Sequence, residues 1–298
     1  MSVDWTKRIE NSLNNHWGRT MARQQHLYLG YSADERVQSP FAPFFRPAMA
    51  PLSESVRTAL LNGAVAHELM PPLAAAPDLQ SGTDWIFETA YTLCRDGEAR
   101  VFVHTPMPGV TPAMWDWWFG WHGDEAQKYK LWHPLAHVHV AWADGQGDLG
   151  HYVGRTSRVV EYVGSARMAL TIRFVPPREL GLDEDQLKAA GEVAICARVA
   201  LADGPAETGW LIHHLRPTTD GCEMRSRFWL GGGNVRPKTI SGGLGRLLGG
   251  LAARLAPIKP QQASDLLIHC AQEMSHLAAI LPQIYERFAN ALEPEGSI

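Results

Sequence analysis

Apolar side chains recur every three or four positions from Ser264 onward, so the stretch reads as an amphipathic helix. Leu266, Leu267, Cys270, Met274, Leu277, Leu281 and Tyr285 share one face. His269 and Glu273 are four apart and stack one turn above the other, and His276 continues their line. This polar stripe runs beside the apolar one, so partial burial is expected. A buried His and Glu cost free energy unless they pair or bind a metal. Two readings are open: a surface His–Glu pair, or two metal ligands on a rigid helix, the spacing that H-E-x-x-H zinc sites use. Pro282 predicts a kink at the end of this helix.

Upstream the pattern changes. From Asp84 it alternates as strands do. Trp85 to Leu93 and Arg100 to Pro106 flank the turn Arg95-Asp-Gly-Glu, a hairpin. Arg158 to Gly164, Ala166 to Val175, Glu192 to Leu201, Thr208 to Arg216 and Cys222 to Leu230 continue the set, with turn signals at Ala202-Asp-Gly-Pro and Thr219-Asp-Gly-Cys. Thr111 to Phe119 predicts a short helix, with Thr at the cap and Pro in the first turn. Residues Gly120 to His139 read as a loop. Strands alternate with turns rather than helices, so the sheet should be mostly antiparallel. A curved antiparallel sheet around one long C-terminal helix is a helix-grip arrangement of the α+β class, and His269 and Glu273 point into the cavity it encloses.

Residues 1–80 differ again. Trp5 to Asn15 and Ser53 to Leu69 carry helical periodicity, Ser39 to Pro47 is broken by prolines, and few candidate catalytic groups appear. This part reads as a helical appendage that packs on the main domain, 81–298, or on a second subunit. The Gly-rich segment 231–250 is open between a lid and a connector.

Composition narrows the classes. The 298 residues carry a net charge of −4 with both signs interspersed, which suggests no nucleic-acid or membrane footprint. No apolar run approaches transmembrane length, and the first residues lack the apolar core of a signal peptide. Cys94, Cys196, Cys222 and Cys270 form no CxxC pair and read as reduced residues of a cytoplasmic protein. Trp (11) and His (13) are abundant, and several of both fall between Trp115 and His151.

Three further features bear on chemistry. Glu161 sits in a strand that is apolar on both faces and needs a partner; either a salt bridge to Arg173 or Arg225, or a metal, supplies one. His133, His137 and His139 fall within seven residues, a spacing that suits metal ligands around a turn. His213 and His214 are strand neighbours, so one enters the cavity as an acid/base candidate and the other reads as a plain surface residue. A mixed His/carboxylate set suits zinc, and less often iron or manganese.

The longer motifs carry a resemblance. Trp117-Trp-Phe-Gly-Trp-His, Tyr129-Lys-Leu-Trp-His-Pro-Leu-Ala-His, Glu223-Met-Arg-Ser-Arg-Phe-Trp-Leu-Gly and His269-Cys-Ala-Gln-Glu resemble the 2,4-diacetylphloroglucinol hydrolase family, which includes phloretin hydrolase. The similarity runs over most of residues 80 to 290 and includes the helical N-terminal part. It implies a helix-grip fold like that of the birch-pollen allergen and START-like proteins, a homodimer formed with the N-terminal region, and one zinc per chain. It implies hydrolysis of the carbon–carbon bond between an acyl group and a polyhydroxylated aromatic ring, on a small aromatic ketone. Carried over by position, His137, Glu161, His269 and Glu273 are the zinc ligands, with His133 the alternative to His137. Tyr129 stands eight residues before His137, as the family has it. His213 is the acid/base histidine, with His214 the fallback and Tyr129 a second proton donor or relay. Trp132, His133 and Phe228 belong to the substrate pocket. Phe228 stands where a pocket tyrosine is expected and Val140 where an asparagine is, so recognition of substrate hydroxyls departs from the pattern and the natural substrate is left open. Two rival readings remain: a non-haem iron oxygenase acting on a related compound, and a metal-free carrier of hydrophobic ligands.

Overall fold

The computed structural model describes residues 30–238 and 257–289. The expected helix over Trp5 to Asn15 and the Gly/Leu-rich segment Ser241 to Leu255 lie outside the described residues. Among the described residues nine strands make one antiparallel sheet: β1 (Ala90–Leu93), β2 (Glu98–Pro108), β3 (His137–Trp142), β4 (Thr156–Val163), β5 (Ala166–Val175), β6 (Val193–Leu201), β7 (Ala206–Pro217), β8 (Gly221–Gly231) and the short β9 (Arg236–Pro237). The helices are α1 (Ala33–Gln38), α2 (Glu54–Asn62), α3 (Pro112–Trp121), α4 (Ala126–Trp132), α5 (Glu184–Ala190), α6 (Pro260–Ala278) and α7 (Leu281–Phe288). Strand order is β1-β2-β8-β7-β6-β5-β4-β3, with β9 on β7. Helix α6 packs against β1 and β2 and also against β4. Those strands stand towards opposite ends of the order, so the sheet has to curl round the helix to reach it from both sides. This is the α+β helix-grip arrangement that the pattern predicts.

Alternation along the strands sorts two cores. Val101, Val103, Leu211, Leu215, Met224 and Phe228 face α6 and pack with Leu267, Cys270, Met274 and Leu277. Phe102, Ile212, Cys196 and Trp229 face outward, under Met70, Ala76 and Leu79. Residues from Tyr31 to Ala59 join the inner core, so the N-terminal segment buries apolar surface on both sides of the sheet. Aromatic rings cluster in this inner core, with Trp115, Trp118, Phe119 and Tyr129 all in contact with Trp132. A groove of about 330 Å³ opens elsewhere, between α2 and residues 86–90.

Several expectations are corrected. Gly120 to His139 is not a loop: it contains α4 and the start of β3. The chain from Trp85 to Thr89 is not strand; Glu88 there turns to buried arginines, and pairing begins at Ala90. The helix over Ser53 to Leu69 stops at Asn62, capped by Gly63 at a positive φ of 71°. Pro282 does not kink a continuous helix but stands in the first turn of a separate one, α7, where its missing N–H costs nothing.

Candidate metal centre

Four side chains from three elements converge between sheet and helix. His137 opens β3, Glu161 lies directly opposite it on β4, and His269 and Glu273 stand one turn apart on α6. A β-bulge between His137 and His139 makes this possible. His137 and Val140 are three apart and would face opposite ways in a regular strand; the extra residue turns His137 to the inner face beside Glu161. The turn is pinned by the amide of His137 donating to the His133 carbonyl at 2.9 Å, and by that of Tyr162 donating to Ala136 at 2.9 Å.

The ligand-bearing atoms of His137, His269 and Glu273 all lie within 4.8 Å of one another. Nε2 of His137 is 3.4 Å from Glu273 and 3.8 Å from Glu161, and Nε2 of His269 is 3.7 Å and 3.9 Å from the same two carboxylates. Nδ1–H of His137 donates to the Tyr129 carbonyl at 2.9 Å, which fixes the tautomer and leaves Nε2 unprotonated. That Nε2 is fully buried and without a hydrogen-bond partner among the described residues. Burial drives both imidazoles towards the neutral, ligating form. Burial, with the Glu161 charge beside it, holds the Glu273 carboxyl well above the usual carboxylate range. A buried carboxyl, a partly buried one and two neutral imidazoles set close together make a costly arrangement that a divalent cation offsets, and the donor set suits zinc. The residues therefore fit the metal that the motifs imply. Arg173 and Arg225, the alternative partners for Glu161, are committed elsewhere, to Glu207 and Glu88.

Tyr129 supports the centre twice. Its ring stacks on His137 with centroids 3.7 Å apart, and its hydroxyl donates to Glu161 through a short hydrogen bond. Burial and the neighbouring Glu161 charge raise the phenol well above its ordinary value, so it keeps its proton.

The remaining candidates fall on both faces of the sheet. His213 faces inward, hydrogen-bonded through Nδ1 to Ser226 at 2.8 Å and in ring contact with Phe119 and Phe228. Burial pushes its pKa down to about 3. His214 faces outward, as alternation requires, but is no surface residue: it is fully buried, and its Nε2–H donates to Glu192 at 2.8 Å. Trp132 lies edge-on to His137, with centroids 5.5 Å apart. His133 is not among the converging ligand atoms; it stacks on His269 at 5.0 Å. Beyond these, His276 is 3 % exposed with its Nε2 unpartnered among the described residues, a position legible only as the continuation of the His269–Glu273 line.

Comparisons with known proteins place the chain among its relatives. Over 284 residues the chain is 29% identical to a 2,4-diacetylphloroglucinol hydrolase from Pseudomonas protegens, covering 89% of each. It is 28% identical over 273 residues to a phloretin hydrolase from Eubacterium ramulus, covering 85% of this chain and 91% of that one. Among solved structures, Ara h 8.0201 superposes with a TM-score of 0.38 at 11% identity, covering 63% of this chain and 99% of that one. Protein Ms6760 from Mycobacterium smegmatis does so with a TM-score of 0.36 at 11% identity, covering 66% and 98%. A family profile described as the DAPG hydrolase PhiG domain matches residues 70–286, and with most of its length so matched the chain belongs to that family.

Proposed function

We propose that this protein is a zinc-dependent hydrolase of acylated polyhydroxyphenols. It cleaves the bond between the ring carbon and the acyl carbonyl carbon, and water supplies the hydroxyl of the carboxylic acid and the hydrogen of the ring. One observation carries the reading: the ligand atoms of His137, His269 and Glu273 lie within 4.8 Å of one another, with Glu161 3.8 and 3.9 Å from the two histidines and the buried His137 Nε2 without a hydrogen-bond partner among the described residues. The names of the relatives, hydrolases of 2,4-diacetylphloroglucinol and of phloretin, supply the substrate class. Held by those four side chains, zinc supplies Lewis acidity that lowers the pKa of water towards neutrality and polarises a carbonyl.

The chain's own groups do the rest. Trp132 and Phe119, with ring centres 5.3 Å apart, line the span between His137 and His213 and give a flat ring an apolar platform. Burial keeps His213 neutral, so it is a weak base: it relays a proton of water through its free nitrogen to the ring carbon as the acyl bond breaks, the imidazolium being transient and a strong acid towards that carbon. Ring hydroxyls ortho and para to that carbon let it accept the proton by tautomerising to a ketone. Phe228 closes the platform against His213, while His214 faces away and holds Glu192. Tyr129 orients Glu161 and His137. The same reading carries a homodimer formed through residues 1–80, with 81–298 as the catalytic domain. It also carries a cytoplasmic location, in keeping with the free Cys94, Cys196, Cys222 and Cys270. No helix among the described residues is long and apolar enough to cross a membrane.

Incubation with 2,4-diacetylphloroglucinol and with phloretin in isotope-labelled water, without oxygen, tests the reaction. The reading expects a carboxylic acid carrying the label. A strict need for oxygen would move the case to an iron oxygenase, and ligand bound but unchanged would make the protein a carrier. Tyr129→Phe keeps the ring on His137 but removes the hydroxyl from Glu161. Zinc affinity, measured against a competing chelator, is expected to fall about 10- to 100-fold; unaltered affinity would remove Tyr129 from the support of the centre.

A further inference from the structure

We propose that His133 and His276 bind two hydroxyl groups of the substrate's aromatic ring, beside the His/Glu centre. The inference rests on the hydrolase reading for its substrate class, but it concerns residues that take no part in the converging ligand set.

His276 lies one turn along α6 from Gln272 and Glu273 and two turns from His269. His133 caps the end of α4 and stacks on His269 with an interplanar angle of 19°. His276 is near enough for its charge to bear on His133, and the Gln272 side chain hydrogen-bonds the same ring, which leaves its Nδ1 as the open nitrogen. Both histidines are at least nine-tenths buried, His133 at 4 % exposure and His276 at 3 %. Nδ1 of His133 and Nε2 of His276 nevertheless have no hydrogen-bond partner among the described residues. Buried polar atoms are almost always satisfied, and an unmade bond there costs stability. Two such atoms, brought together by α4 and α6 next to a reaction centre, point to a polar ligand.

The chemistry of the pair selects the ligand. A neutral imidazole presents one donor and one acceptor nitrogen. A phenolic hydroxyl donates and accepts, so it satisfies either tautomer at either histidine. A carboxylate only accepts and calls for a cation. Arg46, whose charge reaches His276, is exposed and turned to the Pro43 carbonyl. A metal ion calls for a third ligand, and neither histidine belongs to a metal-sized group of three among the described residues. A ring carrying several hydroxyls fits best: its acyl carbonyl is directed to the centre and its hydroxyls to the two free nitrogens.

The test uses the zinc-loaded full chain, with phloroglucinol as the probe in titration calorimetry and 2,4-diacetylphloroglucinol in steady-state kinetics. In His276→Phe, phloroglucinol affinity is expected to fall about tenfold, one hydrogen bond's worth, with zinc content unchanged. KM for 2,4-diacetylphloroglucinol should rise more than kcat falls. His276→Gln retains a hydrogen-bonding group and is expected to recover part of the loss, and His133→Gln is read in the same way if the Phe variant does not fold. A ring ketone without hydroxyls, used as a competitive inhibitor, should bind wild type and variant equally. Unchanged phloroglucinol affinity would mean that the two nitrogens hold only a bridging water, and would overturn the proposal. An equal loss for the hydroxyl-free ketone, or loss of zinc, would make His276 structural and overturn it too. If the wild type hydrolyses no acylphenol, the hydrolase reading fails, while the phloroglucinol comparison still decides this one.

Discussion

Glu273→Gln is expected to purify with little zinc and to lose activity by more than about 100-fold. Changing a group that merely supports a metal ligand costs about 10- to 100-fold in affinity or activity, and a ligand itself should cost more. The amide keeps the volume of the carboxyl but not its charge, and among the described residues the ion-pair neighbours of Glu273 are His137 and His269, both held neutral by burial. The metal-free variant should be no less stable than metal-free wild type, because a carboxyl buried beside the Glu161 charge has been made neutral. Metal analysis, turnover and thermal unfolding separate these effects. Retained zinc with full turnover would remove Glu273 from the ligand set.

The second large effect falls on stability, on the far face of the sheet. Arg225 and Arg227 stand two apart on β8, both fully buried, and share Glu88. One carboxylate answers two guanidiniums, which also lie against the Trp85 ring. Burial alone would raise the Glu88 pKa, but the Arg225 hydrogen bond and the two arginine charges hold it down at about 2. A depressed carboxyl contributes stability that is present above its unfolded value. The Glu88 contribution is therefore lost as pH falls from about 4.5 towards about 2. Glu88→Gln leaves two like charges buried without an anion, and the expected loss is about 3 to 5 kcal/mol. That corresponds to a fall of roughly 5 °C or more in Tm. Zinc content per folded chain should not change, since the cluster packs on the opposite face from His137 and His269. A loss below about 1 kcal/mol, with the wild-type acid dependence retained, would contradict the role given to Glu88.

What the sequence made legible follows from how local each signal is. The C-terminal helix was plain because its apolar period covers five turns and its polar stripe carries His269 and Glu273 at the right spacing. Strands β4 to β8 were plain because their turns are marked by Gly and Asp. Strand β3 was missed because its bulge breaks the period of two, and α4 because seven residues give barely two turns of periodicity. Glu161 declared itself as a charge in an apolar strand, but its surroundings are set by register with His137 and by the distant commitment of Arg173 and Arg225 to other acids. His214 was misjudged for a similar reason. Alternation put it on the outer face, and only tertiary structure shows that the segment bearing Met70, Ala76 and Leu79 covers that face.

Elemental analysis of the purified protein, alongside the His269→Ala variant, tests the central claim most directly. The account predicts about one zinc per chain in the wild type and its loss in the variant. Wild-type protein that folds and turns over with no bound metal would contradict it, and the four converging side chains would then be structural.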